Sequence, residues 1–139
     1  MRVLAIDYGE ARCGTAITDE LGITAQGLKT IHHKGNDKIL LSNLDEIINE
    51  YEIGTIVLGM PYNMDGTKTQ SAEKVERFIH KLKCKYNKIK IEQIDERLTT
   101  VQADRTMIDL SIDKSKKKDI RDTMAATYIL ETYINRKKI

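Results

Sequence analysis

The sequence predicts an α/β domain in which a mixed β-sheet carries helices on its faces. In the first part of the chain, short β-branched runs alternate with turn residues, which is typical of a β-meander. In the rest, short apolar runs alternate with longer segments whose apolar residues recur at helical spacing. The chain has 139 residues, of which 40% are hydrophobic and 32% charged, as expected for one globular core. We therefore expect residues 1–139 to form a single domain.

Three strands are predicted before the first helix. The short apolar runs Arg2–Ile6 and Cys13–Thr18 are separated by a tight connection, and a weaker alternating segment, Ile23–His32, follows. Asp7 stands at the end of the first strand. An isolated Asp-x-Gly sequence more often marks a turn whose amides bind the carboxylate, so a functional role for Asp7 depends on the rest of the chain.

The middle of the chain predicts a helix, a strand and a second helix. The first helix covers Asn36–Tyr51, with Asn36 as its N-cap and Gly54 as a stop signal. Thr55–Leu58 is a continuous apolar strand of the kind buried on both faces. The loop Gly59–Thr67 follows its carboxyl end, where ligands bind in open α/β sheets, although a plain connection is the commoner use of such a loop. Ser71–Leu82 is the second helix.

The last part of the chain predicts one more strand and two helices. Lys88–Ile94 alternates cleanly as a strand, and Leu98 to about Met107 follows as a helix. Ile108–Lys118 is polar and basic, which favours a loop. The final helix runs from Asp119 to about Asn135.

Acidic residues stand at three element ends that this topology brings together. Asp7 ends the first strand, Asp95 and Glu96 end the last strand, and Asp122 opens the last helix. Asp122 lies on the same helical face as Ala125 and Ala126, which is the buried one, and an unpaired buried charge is costly. Helix-dipole stabilisation is the simpler interpretation of each acid alone. Three converging carboxylates would repel one another and favour hard divalent cations, and a pair of Mg²⁺ ions is the standard arrangement for phosphodiester hydrolysis.

Bulk composition excludes little beyond a membrane protein. The formal net charge is +2, and no apolar run approaches the ~18 residues of a bilayer span. Two distant cysteines and the lack of an N-terminal leader favour a reduced, cytoplasmic protein. The adjacent pair His32 and His33 would point to opposite sides of a strand, so we expect both to be surface or loop residues rather than metal ligands. Basic clusters are usually solvated surface, and three occur: Lys81–Lys85, Lys114–Lys118 and Arg136–Lys138.

Four motifs in register resemble the YqgF/RuvX family of RNase H-like nucleases over essentially the whole chain. The opening motif reads Asp7-Tyr8-Gly9-x-x-Arg12-x-Gly14-x-Ala16-x-Thr18-Asp19. The other three are Gly59-Met60-Pro61 with Asp65-Gly66, then Asp95-Glu96-Arg97-Leu98-Thr99-Thr100, then Asp122 with Ala125-Ala126 and Ile129-Leu130. Each motif is weak alone, whereas four in order are specific.

The resemblance implies an RNase H-like fold, with a five-stranded mixed sheet flanked by helices. It implies a nuclease that hydrolyses phosphodiester bonds with Mg²⁺ or Mn²⁺ by a two-metal-ion mechanism. The implied role is maturation of the 5′ end of pre-16S rRNA in ribosome biogenesis, with structured precursor rRNA as the partner. The alternative is Holliday junction resolution on branched DNA in recombination and repair. We expect a monomer or a weak homodimer, because no apolar dimer surface is evident in the sequence.

Carried over by position, the resemblance makes Asp7, Glu96 and Asp122 the catalytic metal ligands. Asp95 competes with Glu96, because strand alternation does not say which one faces the site. Asp119 departs from the usual family pattern and is either a fourth ligand or a helix cap. Two arginines and three lysines are candidate nucleic-acid contacts: Arg12, Arg97, Lys116, Lys117 and Lys118. The arginines suit phosphate contact and carboxylate positioning equally.

Two rival interpretations belong to other functional classes. A phosphate-handling enzyme of the actin and sugar-kinase superfold has a similar opening turn, but it needs two domains and a nucleotide cleft. A non-catalytic nucleic-acid-binding module could keep the fold without the reaction, since fold alone does not decide function. Retention of all three acids argues against that loss.

Overall fold

A computed structural model of the chain describes residues 1–96 and 114–137. These residues form five strands and three helices. The strands are β1 (Arg2–Asp7), β2 (Arg12–Thr18), β3 (Ala25–His32), β4 (Ile53–Met60) and β5 (Lys90–Asp95). The helices are α1 (Asp37–Tyr51), α2 (Gln70–Lys85) and α3 (Lys114–Lys137). Every predicted strand is present with ends that move by at most two residues. The helix predicted from Leu98 lies outside the described residues.

The five strands form one mixed sheet in the order β3-β2-β1-β4-β5. The first three strands are an antiparallel meander, with Asp7 opposite Gly14 and Cys13 opposite Ile31. β4 and β5 are parallel to β1 and each other, because a helix crosses over before each of them. β1, β4 and β5 therefore end at the same edge of the sheet. This is the architecture that the sequence predicts.

The two faces of the sheet carry different cores. On one face, large side chains such as Leu4 and Ile6 pack against the buried stripes of α1 and α2. On the other face, small residues such as Ala5 and Ala16 lie beneath α3, whose buried side is Ala126, Ile129, Leu130, Tyr133 and Ile134. Alternation of large and small residues along one strand separates the two layers. The small residues allow α3 to approach the sheet closely.

The ends of the first helix show one correct signal and one wrong one. Asn36 is the N-cap, and its side chain accepts a hydrogen bond of 2.9 Å from the Lys38 amide. Gly54 does not end the helix, because Glu52 adopts the left-handed conformation at the C-cap with φ 53°. Gly54 lies inside β4 instead. None of the helices in the described ranges is long and apolar enough to cross a membrane.

The basic segment before the last helix was predicted wrongly as a loop. Lys114 to Lys118 belong to α3, which begins five residues before the predicted start. Polarity suggested a loop, but lysine is a good helix former and the end of a long helix need not bury a face. The rest of the predicted loop, residues 108–113, lies outside the described residues.

Candidate metal-binding site at the carboxyl edge of the sheet

Asp7 and Glu96 reach the same edge of the sheet from two strands that do not touch. Asp7 is the last residue of β1, and Glu96 directly follows β5. β4 lies between them, with Leu58 opposite Ile6 and Gly59 opposite Ile94. The gap is bridged over Gly59, where an added β-carbon would lie 2.7 Å from the Glu96 Cγ and 2.6 Å from the Ile129 side chain. Glycine at 59 therefore leaves the space through which Glu96 approaches Asp7.

The carboxyl groups of Asp7 and Glu96 are joined by a hydrogen bond. Such a bond needs a proton on one of the two groups, because an ionised carboxylate only accepts. Burial, repulsion by Glu96 and this bond raise the pKa of Asp7 well above its usual value, and Asp122 adds to the repulsion. Burial also raises the pKa of Glu96, although the bond from Asp7 opposes the shift. Ionisation of both carboxyl groups is therefore unfavourable in the absence of a cation.

Asp122 comes to this edge from the helix that covers the sheet. Its backbone lies directly on Gly14 of β2, where a β-carbon would come within 2.9 Å of the Asp122 Cβ and overlap its carbonyl. The Arg12 Nε donates a 2.5 Å hydrogen bond to Oδ2 of Asp122. Burial raises the Asp122 pKa, while the bond and the positive charge of Arg12 oppose that shift. Asp122 is close enough to Asp7 to raise the pKa of Asp7 by repulsion. Its own carboxylate is held by the guanidinium of Arg12.

Two of the three acids, Asp7 and Asp122, line an open cleft that could admit a ligand, and Glu96 bonds Asp7. The cleft has a volume of about 250 Å³ and is lined by Asp7, Gly9, Glu10, Ala11, Arg12 and Asp122. Within residues 1–96 and 114–137, no three His, Cys, Asp or Glu side chains are already placed to bind one ion. The fit to a divalent cation rests on the donor chemistry, because hard carboxylate oxygens that repel one another are the ligands Mg²⁺ and Mn²⁺ prefer.

Asp95 and Asp119, the two further acids that the sequence offers as possible ligands, have different contacts in the structure. Glu96, not Asp95, forms the bond to Asp7, and Asp95 acts on the pair through its repulsion of Glu96. The Asp119 carboxylate lies 3.1 Å from the Nε2 of His32 on β3, and its backbone carbonyl accepts a bond from Thr30. Asp119 therefore contacts the edge strand, although its charge still raises the Asp122 pKa.

The candidate nucleic-acid contacts are distributed unevenly around the cleft. Arg12 lines it and is partly exposed, and its contact with Asp122 favours the carboxylate-positioning role. Lys116 and Lys118 are exposed on the first turns of α3, whereas Lys117 is half-buried. Arg97 lies outside the described residues.

Sequence reasoning missed one residue beside the site. Both histidines of the pair were expected to be surface or loop residues, and His33 does lie outside the strands and helices, but it is fully buried. Its ring bonds to the Gly9 carbonyl and accepts from the Gly35 amide, so burial costs it no hydrogen bond. The available signal was Gly35, whose φ of 81° marks a tight turn after the strand. His32 is exposed, as expected.

A protein-family model described as "RuvX: Holliday junction resolvase" matches residues 1–136. A relative from Ruminiclostridium cellulolyticum with the name "Putative pre-16S rRNA nuclease" is 51% identical over 136 residues, covering 98% of this chain and 95% of its own. A relative of the same name from Acetivibrio thermocellus is 47% identical over 137 residues, covering 99% and 97%. The resemblance seen in the motifs is thereby confirmed over the whole length.

Solved structures share the fold at low identity. The Fowlpox virus resolvase, in complex with Holliday junction DNA, aligns with a TM-score of 0.62 at 13% identity over 99% of both chains. RuvC of T. thermophilus, also with a junction substrate, aligns with a TM-score of 0.57 at 11% identity over 99% of this chain and 96% of its own. These neighbours confirm the RNase H-like fold. On the match of its sequence from end to end, the chain belongs to the RuvX family.

Proposed function

We propose that this protein is a metal-dependent nuclease whose metal ligands are Asp7, Glu96 and Asp122. The observation that carries the proposal is the hydrogen-bonded carboxyl pair of Asp7 and Glu96 beside Asp122, at an open cleft that Asp7 and Asp122 line. Neighbouring carboxylates repel one another when they are ionised, and a cluster of this kind is expected where a cation binds. The expectation that Asp95 and Asp119 are ligands has less support, because neither forms the bond to Asp7 and Asp119 contacts His32.

Mg²⁺ or Mn²⁺ would supply Lewis-acid activation of the attacking water and neutralise charge on the scissile phosphate, in a two-metal arrangement. The protein would have to provide the geometry. Asp7 and Glu96 would hold their oxygens at the edge of the sheet once the proton between them is lost. Asp122 would complete the donor set from α3. Asp7 ends β1, Glu96 directly follows β5 and Asp122 lies on a helix packed on the sheet, which favours a preorganised site.

Arg12 would have two tasks in such a site. Its Nε bond orients Asp122, and its side chain lines the cleft. A guanidinium can bond a carboxylate and a phosphate at the same time, because it has five donors in a planar fork. We therefore assign it carboxylate positioning first and phosphate contact second.

The substrate that fits best is structured precursor rRNA, in maturation of the 5′ end of pre-16S rRNA. Relatives at 43–51% identity, matched over 97–99% of this chain, carry the pre-16S rRNA nuclease name. The junction-binding neighbours are only 11–13% identical. A role in ribosome assembly would place the protein in the cytoplasm, as a monomer or weak homodimer.

Holliday junction resolution is the second candidate, favoured by the description of the family model. Symmetric resolution needs two active sites and hence a two-fold dimer. The two candidates therefore differ in oligomeric state as well as in substrate.

One assay separates these functions. Purified protein is incubated with Mg²⁺ or Mn²⁺ and, in parallel, with a 5′-extended 16S precursor fragment, duplex RNA, duplex DNA and a four-way DNA junction. We expect metal-dependent cleavage of the precursor in preference to the junction, and none by Asp7→Asn. Symmetric junction cleavage by a stable dimer would reverse the order of the two candidates. Binding of RNA with no cleavage under either metal would favour the non-catalytic binding module.

A further inference from the structure

His33 is a fully buried polar residue that the proposed chemistry does not use. It directly follows the edge strand β3, where its neighbour His32 is exposed. The ring of Tyr8 is stacked on it at a centroid distance of 6.0 Å, and Tyr8 in turn stacks on Phe78 at 4.8 Å. An imidazole enclosed in this way needs partners at both ring nitrogens.

The hydrogen bonds of the ring define its tautomer. The Gly35 amide donates to Nδ1 over 3.1 Å, and because an amide hydrogen only donates, Nδ1 carries no proton. The ring proton is therefore on Nε2, which lies 2.9 Å from the Gly9 carbonyl oxygen and donates to it. Lys34 and Gly35 both have positive φ, at 53° and 81°, and this tight turn brings the Gly35 amide back to the ring. The imidazole is thus neutral and fixed at both ends.

His33 and its neighbour hold two carbonyls of the turn between β1 and β2. Besides the bond from the ring to Gly9, the amides of His33 and Lys34 donate to the Ala11 carbonyl over 3.0 and 2.9 Å. The turn is tight, because a β-carbon at Gly9 would lie 2.5 Å from the Arg12 carbonyl oxygen. A segment beyond β3 therefore sets the position of a turn near the start of the chain.

This turn connects two residues of the candidate site. Asp7 directly precedes it and bonds Glu96, and Arg12 directly follows it and bonds Asp122. A shift of the Gly9 carbonyl would move the backbone of Asp7, and small displacements of a ligand cost metal affinity. Two core side chains reach the Gly9 carbonyl in the middle of the turn: the Nε2 of His33 at 2.9 Å and the thiol of Cys13 at 3.9 Å. The bond from His33 is the shorter of the two, and a thiol is the weaker donor.

We propose that His33 is a positioning residue for the cation site, which it serves by donating Nε2–H to the Gly9 carbonyl and so fixing the backbone of Asp7. The inference rests on the proposed role of Asp7 as a metal ligand. His33 itself contacts neither cation nor substrate. Its effect should be on metal affinity more than on the stability of the fold.

Two substitutions separate the two ring bonds. In His33→Gln the amide nitrogen occupies the position of Nε2 and can donate to Gly9, but the acceptor for Gly35 is lost. In His33→Asn the side-chain oxygen occupies the position of Nδ1 and can accept from Gly35, but no donor reaches Gly9. Each variant loses one buried hydrogen bond and the ring contact with Tyr8, so the two are matched in expected loss of stability.

The experiment measures Mn²⁺ binding by calorimetry, with no nucleic acid present, together with thermal unfolding of each variant. We expect His33→Gln to bind Mn²⁺ within about threefold of the wild type and His33→Asn about tenfold more weakly, the range found when a group that orients a metal ligand is removed. The amide resonances of residues 8–12 should shift in His33→Asn and stay near wild type in His33→Gln. Equal Mn²⁺ affinities of the two variants, or losses that follow only the unfolding temperature, would overturn the proposal.

The same data distinguish this inference from the proposed function. If the wild type and Asp7→Asn bind Mn²⁺ equally well or not at all, the metal site is wrongly placed, and with it the positioning role of His33. The histidine ¹⁵N spectrum then still tests the bond itself, which requires a protonated Nε2 and an unprotonated Nδ1. If wild-type binding is lost in Asp7→Asn but unchanged in His33→Asn, the function stands and the inference about His33 fails.

Discussion

The Nε of Arg12 lies 2.5 Å from Oδ2 of Asp122, a contact between residues 110 positions apart in the chain. It joins the first residue of β2 to α3, the last helix of the chain, which packs on the sheet. On the next strand, His32 stands opposite Arg12 and bonds Asp119, one turn earlier on α3. These two adjacent contacts fix the N-terminal part of α3 over the meander, and they hold Asp122 near Asp7.

Removal of the charge at Asp7 should abolish cleavage and leave the fold intact. We expect Asp7→Asn to lower the metal-dependent cleavage rate by more than about a hundredfold, since a lost metal ligand costs at least as much as a lost outer-shell partner. Cleavage of the precursor RNA is the measurement. Glu46→Gln is the control, because it removes one acidic charge from an exposed position on α1. Wild-type cleavage by Asp7→Asn would show that the site lies elsewhere.

The stability of the protein without added metal should depend on pH through Asp7. Its pKa is raised above the usual 3.8, so its contribution to folding is complete below that pH and is lost as the pH rises through the higher folded-state pKa. Asn at position 7 has no such dependence. We therefore expect Asp7→Asn to become progressively more stable than the wild type from about pH 4 upward, as measured by chelator-treated thermal unfolding at several pH values.

The opposite trend would contradict the raised pKa. A wild type that gains stability over Asp7→Asn with rising pH would mean that the Asp7 carboxylate is stabilised in its charged form. Comparison of the wild type with Asp7→Asn at each pH cancels the contributions of other acids such as Asp19 and Asp45, whose pKa values are lowered.

Loss of Arg12 should have opposite effects on Mn²⁺ affinity, which should rise, and on the cleavage rate, which should fall. Arg12→Ala removes a positive charge that competes for Asp122, so Mn²⁺ should bind more tightly, by up to about tenfold at low salt. Cleavage should nevertheless slow, because Asp122 loses its orienting bond. Arg12→Lys, which keeps the charge without the planar fork, should leave Mn²⁺ affinity near wild type. Weaker Mn²⁺ binding in Arg12→Ala would mean that its positioning of Asp122 outweighs the charge.

Lys116 and Lys118 should contact the phosphate backbone of the substrate. Both are exposed on the turn of α3 that precedes Asp122. Each phosphate contact adds about 0.7 to 0.9 to the slope of log affinity against log salt, so the double alanine variant should lower that slope by about 1.5. Turnover of bound substrate should change little, because these residues would position the backbone only.

The control for these lysines is a second pair far from the cleft. Lys83 and Lys88 are exposed at and beyond the end of α2, away from the end of β5 where Glu96 lies. Their double alanine variant should leave the slope unchanged. If Lys116 and Lys118 also leave it unchanged, they are solvated surface. Adding Lys117→Ala should contribute less than either neighbour, because that side chain is half-buried.

Gly14 should be the least replaceable glycine in the sheet. A β-carbon there would overlap the Asp122 backbone. To relieve the overlap, either β2 or α3 would have to move, and both are packed in the core. We expect Gly14→Ala to cost about 1–3 kcal/mol of unfolding free energy by denaturant titration and to weaken Mn²⁺ binding through Asp122. Gly54→Ala in β4 is the control, because the three atoms nearest to the new methyl group all belong to the exposed residue Met1. Equal losses in the two variants would exclude a special fit of Asp122 over Gly14.

The sequence by itself determined the order of the strands and helices in the described residues, and the acids that stand near their ends. Periodicity predicts strands and helices wherever it is strong, as in β1, β4 and α2, because burial of one face is decided by local spacing. Asp7 at a strand end and Asp122 on an apolar helical face were visible for the same reason. The family was visible too, because its motifs include the residues of the candidate site.

Only the tertiary structure decided which partner each side chain meets. Alternation along β5 could not choose between Asp95 and Glu96, and Gly59 on the neighbouring strand allows Glu96 to reach Asp7. The lysines before Asp119 join a helix that has little apolar pattern at its start. The burial of His33 depends on the Gly9 carbonyl, 24 residues earlier in the chain. Contacts of this kind depend on how distant segments are placed relative to one another, and the local spacing of residues does not determine that placement.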